Sequence, residues 1–218
     1  MDNIVAEPLV VMPVERKNDT YALRIALNQG EFTPGMMKTV MEVMSKFNLT
    51  SLRVTSGQRL NLEGIAKDKL DEVVAAIGTS VKKAPPTVNV CTGVGLCKYG
   101  VQDSRGMGKK LLEIVLQNGP YPFKIKSGVS GCKISCGFSN VRDIGLVGTP
   151  KGWDVLFGGG AARNVRSGVK IGTKLSEDEA LSLIVKALDF YKENGRKRER
   201  ISGMIDRLGE EALLEALK

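Results

Sequence analysis

The chain has no histidine. That absence removes the commonest general base near neutral pH, the usual imidazole of zinc sites and the commonest axial ligand of haem iron. Any metal must therefore be held by sulfur or oxygen. Aromatic residues are scarce, with six Phe, four Tyr and one Trp among 218 residues. These are too few for the stacking platforms that read single strands, so no nucleic-acid partner is expected. No segment approaches the roughly 18 uninterrupted apolar residues of a membrane span. The apolar N-terminal stretch from Ile4 to Val14 is broken by Glu7, Pro8 and Pro13, with no basic region ahead of it. The expectation is a cytoplasmic protein with no membrane partner and no signal peptide.

What is present is an ordinary globular composition, 42% hydrophobic and 26% charged, with 32 basic against 24 acidic residues and a net charge of +8. Such a surplus suits a polyanionic partner: nucleic acid, a membrane surface or a cofactor bearing many carboxylates. Four cysteines in a reducing compartment read as ligands or catalysts rather than as two disulfides.

The chain divides into two regions, residues 1–80 and 81–218. In the first, YALRIAL at 21–27 alternates as a strand, and Thr33-Pro34 caps and opens a helix running to about Phe47. Met37, Val40, Met41 and Met44 form an apolar stripe on that helix, read as core. A strand at 51–55, a turn at Ser56-Gly57, a strand at 59–65 and a helix at 67–77 follow. The order β-α-β-β-α predicts an α+β class with a ferredoxin-like N-terminal unit, and Gly78–Pro86 is read as the junction. The second region, an α/β domain, is expected to hold a helix near 104–117 and strands near 123–129, 143–148 and 153–157. A Ser176-x-x-Glu179 capping box opens a helix to Asn194, and a last amphipathic helix starts near Lys197. GRKRER at 195–200 is read as a solvated helix start rather than a nucleic-acid patch.

The cysteines carry the strongest signal. Cys91 and Cys97 are spaced Cys-x5-Cys, Cys132 and Cys136 are spaced Cys-x3-Cys, and 34 residues separate the pairs. Both spacings are wider than the tight knuckle of common zinc ribbons, whereas four thiolates on glycine-rich loops suit a [4Fe-4S] cluster. Buried unreactive thiols and an all-cysteine zinc site are the alternatives. Glycines at 93, 95, 131 and 137 allow backbone N–H groups close to sulfur.

This cysteine arrangement, with Ser130-Gly131 before it, LRVTSGQRLNLEGI at 52–65, DIGLVG at 143–148 and WDVLFGGG at 153–160, resembles the sirohaem-dependent sulfite and nitrite reductases over roughly residues 20 to 200. The resemblance implies a [4Fe-4S] cluster on Cys91, Cys97, Cys132 and Cys136, joined to a sirohaem iron through Cys136. Sirohaem carries eight carboxylates, for which it implies Arg53, Gln58, Arg59, Gly159, Gly160, Arg163, Asn164 and Arg166 as contacts. Lys124 and Lys126 are candidate catalytic bases on the residues' own pattern, two apart and so on one face of a strand. PFKIKSGVSGC also matches a family stretch whose two lysines contact the anion. Arg24 and Arg53 are further candidates for that role.

The match departs from the family at several places. Gly57 stands where an arginine is usual, Val88-Asn89-Val90 replaces Arg-Asn-Val, and Lys133-Ile134-Ser135 replaces Pro-Asn-Gly. Familiar members also carry two copies of the unit, and this chain carries one. Either a single unit encloses the cofactor or two chains form a homodimer, and the size of the macrocycle favours the dimer. The expected function is reduction of a small anion, sulfite to sulfide, fed by an external electron donor such as a ferredoxin. Nitrite reduction to ammonia and a non-enzymatic iron–sulfur carrier or sensor without sirohaem are the competing readings.

Overall fold

The alternating segment at 21–27 lies at the centre of a sheet in the computed structural model, which describes residues 4–83, 85–162 and 165–218. The chain forms two compact units, Met1–Pro85 and Pro86–Lys218.

In the first unit the order is β1 (Leu9–Glu15), β2 (Thr20–Ile25), α1 (Pro34–Lys46), β3 (Leu52–Val54), β4 (Leu60–Ala66), α2 (Leu70–Ile77) and β5 (Gly78–Ser80). The strands lie side by side as β3-β4-β2-β1-β5, with β5 parallel to β1 and the other pairs antiparallel. Leu9, Val11, Leu23, Ile25, Leu60 and Leu62 are buried in one cluster with Val40, Val43, Val73 and Ile77 of the helices. Each such side chain contributes about 1.5–3 kcal/mol on burial.

Two elements here were not foreseen. β1 contains Pro13, a residue that strand interiors rarely hold, yet the position tolerates it. Val10 C=O accepts from Ala26, just past the end of β2, and Val11 C=O accepts from Val81 on the other side. By alternation Pro13 faces the β5 side, where pairing has already ended at Val11↔Ser80, so its missing N–H leaves no ladder bond unmade. Residues 78–80, read as junction, form the short edge strand β5.

Helix α1 begins as expected, with Thr33 Oγ1 accepting from Met36 N at 3.2 Å and proline in the first turn. Its buried face is rotated from the expected stripe. Gly35, Thr39, Val40 and Val43 are buried with Met36, Met44 and Phe47 packed alongside, while Met37 and Met41 stay 45% and 67% exposed.

The second unit runs β6 (Val88–Val90), α3 (Ser104–Gln117), β7 (Ser127–Ser130), β8 (Ile144–Thr149), β9 (Gly152–Phe157), a short hairpin β10 (Gly160–Ala161) and β11 (Val165–Arg166), β12 (Val169–Leu175), α4 (Glu177–Asn194), α5 (Ile201–Leu208) and α6 (Glu210–Ala216). Its sheet is ordered β12-β9-β8-β7-β6. Strands β6, β7 and β8 are parallel, and β9 and β12 antiparallel. Met107, Leu111 and Val115 of α3, Ile184 and Leu188 of α4 and Met204 of α5 share its core with Val129, Ile144, Leu146 and Phe157. The Ser176–Glu179 capping box is formed. The expected single last helix is two, interrupted at Gly209 where φ is 89°.

Candidate functional site

The loops that carry Cys91 and Cys132 meet because of strand order. β6 and β7 are parallel neighbours in the register Val90↔Val129, so Cys91 and the Gly131-Cys132 segment leave the carboxyl ends of adjacent strands, where open α/β sheets place their ligands. The loops are stitched together. Cys91 N donates to Val129 O at 3.2 Å, and Val101 N and Gln102 N both donate to Gly131 O, at 2.9 and 3.0 Å. Buried Ser104, at the start of α3, donates its hydroxyl to Cys91 O at 2.8 Å, with its oxygen 3.4 Å from Cys91 Sγ.

A sulfur-directed donor is already in place. Gly131 N–H points to Cys91 Sγ at 3.1 Å, an arrangement that stabilises a thiolate. Only glycine fits there, since a Cβ would lie 2.7 Å from Gln102 O and 3.1 Å from Gly93 Cα. At Gly137 a Cβ would collide with Val129 O, and its N–H instead donates to Ser130 Oγ at 2.9 Å. Cys91, Cys97 and Cys132 are half-buried, and Cys136 is exposed. Among the described residues no three His, Cys, Asp or Glu side chains gather tightly enough to hold one metal ion. A cluster that takes one thiolate at each of four irons needs wider spacing than a zinc ion, whose thiolates all lie about 2.3 Å from it. The four-thiol donor set and its sulfur-directed N–H fit a [4Fe-4S] cluster.

Lys124 and Lys126 are both exposed and Ile125 between them is buried, as the alternation implied. They do not belong to a strand, however, because β7 begins only at Ser127. Although the Lys126 side chain as a whole is exposed, partial desolvation lowers its ammonium from the usual lysine range. Arg200, Lys124 and Arg142 push the same way, and Asp143 opposes them. Fully buried Asp143 accepts from Lys126 N at 2.7 Å and from Arg200 through both Nε, at 3.0 Å, and Nη2. Burial raises its carboxyl while Arg200 pulls it back down. This pair was missed in the sequence. Asp143 heads a quoted motif, but nothing local connects it to Arg200, 57 residues away.

In the first unit the pairings Met12↔Arg24, Arg24↔Asn61 and Arg53↔Asn61 place Arg24 and Arg53 in one cross-strand row. Arg24 Nε donates to Asn61 Oδ1 at 3.2 Å. Arg59 donates to Pro85 O at 2.6 Å, and burial and neighbouring Arg24 lower its guanidinium from the usual range. Gln58 sits in the preceding turn at φ 53°. In the second unit Gly159 packs against the carbonyls of Asn140 and Arg142, and Gly160 opens β10. Arg166 is committed to Asp206 and to Glu210, the latter at 2.8 Å. Arg163 and Asn164 lie outside the described residues. No helix among the described residues is long and apolar enough to cross a membrane.

Comparison with known proteins gives the same reading. Residues 82–218 match the family described as "Nitrite and sulphite reductase 4Fe-4S domain", and residues 14–79 match "Nitrite/Sulfite reductase ferredoxin-like half domain". A protein of Nitratidesulfovibrio vulgaris named "Sulfite reductase, assimilatory-type" is 36% identical over 208 residues, covering 94% of this chain and 95% of its own length. The Bacillus subtilis "Nitrite reductase [NAD(P)H]" is 29% identical over 198 residues, covering 89% of this chain but 24% of its own length. Among solved structures, the NirA protein of Mycobacterium tuberculosis superposes with a TM-score of 0.74 at 22% identity, covering 94% of this chain and 41% of that one, a likeness of fold. Matches to both family models and to an assimilatory-type relative, with Cys91 and Cys132 just past the ends of adjacent parallel strands, place this chain in the nitrite and sulfite reductase family, whose oxidoreductases work with sirohaem and a [4Fe-4S] cluster.

Proposed function

We propose that the chain reduces sulfite to sulfide with electrons from an external donor protein such as a ferredoxin. The observation that carries this reading is the end-to-end similarity, at 36% identity, to an assimilatory-type sulfite reductase of nearly the same extent. The conversion consumes six electrons and six protons, SO3(2−) + 6 H+ + 6 e− giving S(2−) and three waters, and no side chain can supply the electrons. When bound, the sirohaem and the cluster supply the electron relay and the iron at which the anion is reduced.

The remaining work is done by the chain. Cys91, Cys97, Cys132 and Cys136 would hold the cluster, and the exposed Cys136 thiolate would also serve the sirohaem. Gly131 N–H stabilises charge on Cys91 sulfur. Lys124 and Lys126 bind the oxyanion and pass protons to oxygens leaving as water. In the second unit, the backbones of Gly159 and Gly160 offer donors to the macrocycle's carboxylates. Arg166 is not assigned this role, since two carboxylates already hold it.

Nitrite reduction to ammonia is the second reading, favoured by the family's nitrite-reducing relatives such as that of Bacillus subtilis. Steady-state rates with reduced viologen discriminate between them. A higher kcat/KM for sulfite is expected, and a clear preference for nitrite would overturn the assignment.

A further inference from the structure

The segment carrying Lys124 and Lys126 precedes β7, and β8 reaches it at Lys126, its last residue. Further support comes from residues 195–200, the basic run that sequence alone read as a solvated helix start. Arg198 N donates to Pro122 O at 3.0 Å, just before the lysines. At their other end Lys126 N donates to Asp143 Oδ2 at 2.7 Å and Lys126 O accepts from Ile144 N at 3.3 Å. Arg200 grips the same Asp143 carboxylate with two guanidinium nitrogens. The run is itself anchored, because Tyr191 donates its hydroxyl to Glu199 O at 2.6 Å and Arg207 pairs with the Glu199 carboxylate at 2.7 Å.

A buried ion pair of this kind is weak evidence for stability, because apolar residues of similar volume often serve as well or better. What it does supply is direction. A planar fork on a carboxylate fixes that carboxylate in two dimensions, and the carboxylate in turn fixes the Lys126 backbone. We propose that the Asp143–Arg200 pair is the positioning device of the anion-binding segment, holding Lys126 and, through Ile125, Lys124 in the orientation that receives the substrate oxyanion. Arg200 is thus a positioning residue, acting through Asp143. The inference rests on the assignment of the two lysines as anion-binding groups.

The test uses the cofactor-loaded protein. Sulfite and carbon monoxide, a neutral haem ligand with no need of lysines, are titrated against the visible spectrum of wild type, Arg200→Lys, Lys126→Met and the double variant Asp143→Asn/Arg200→Gln. The double variant leaves no unpaired buried charge. In both Arg200 variants sulfite binding is expected to weaken roughly tenfold, the scale of one charge-assisted hydrogen bond, with carbon monoxide binding unchanged. Parallel weakening of both ligands would show a general loosening of the fold and overturn the inference. So would wild-type sulfite binding in the Arg200 variants alongside weakened binding in Lys126→Met. Unaltered sulfite binding in Lys126→Met would instead remove the lysine assignment, and this inference with it.

Discussion

Between Cys132 and Cys136 the backbone turns through Ser135 at φ 61°, with Ser135 N donating to Cys132 O at 3.2 Å. A residue with a Cβ is strained there, and the Ser135 hydroxyl is buried without a hydrogen-bond partner among the described residues. Ser135→Gly is therefore expected to raise stability by about 1 kcal/mol, read as a higher denaturant midpoint at unchanged slope. A lower midpoint would contradict the strain. Gly131→Ala acts oppositely, because its methyl meets Gln102 O at 2.7 Å and displaces the N–H aimed at Cys91. Iron and acid-labile sulfide per chain are expected to fall well below wild type, and full loading would refute that role. At Lys126 the sign follows from its lowered ammonium. As pH rises, this lysine loses its charge before an ordinary lysine does, so the KM for the anion should climb at a pH below the usual lysine range. Lys126→Met should remove that limb of the profile, and an unaltered limb in the variant would assign it elsewhere.

Elements were legible where a signal is local and hidden where it is not. Thr33-Pro34, Ser176-x-x-Glu179 and the alternation at 21–27 each act within a turn or a strand, and each forms where expected. Strand β1 was obscured by Pro13, harmless only because β5 is three residues long. The face of α1 was ambiguous because Met36 and Met37 offer two stripes of equal spacing, and packing on the sheet chose the one containing Val40 and Val43. Helix α3, which carries Ser104 beneath Cys91, starts from Asp103, whose carboxylate accepts from Arg105 N and Gly106 N at 3.1 and 3.0 Å. Asp103→Ala should cost about 1 kcal/mol, measured by thermal or denaturant unfolding. No loss would mean that the cap adds nothing to the helix.

For the whole molecule, the spacing of the four cysteines pointed to a cluster, with an all-cysteine zinc site and buried thiols as the alternatives. The meeting of the Cys91 loop with the Gly131-Cys132 loop was not legible, since it depends on β6 and β7 being parallel neighbours. The Asp143–Arg200 pair was hidden for the same reason, as long-range pairing leaves no mark on local sequence. The account stands on one cluster being held by both thiol pairs and joined to sirohaem at Cys136. The most direct measurement is the visible spectrum of anaerobically prepared protein together with its iron, acid-labile sulfide and zinc content. One [4Fe-4S] cluster per chain with sharp sirohaem bands is the expected result, and colourless or zinc-containing protein would contradict it.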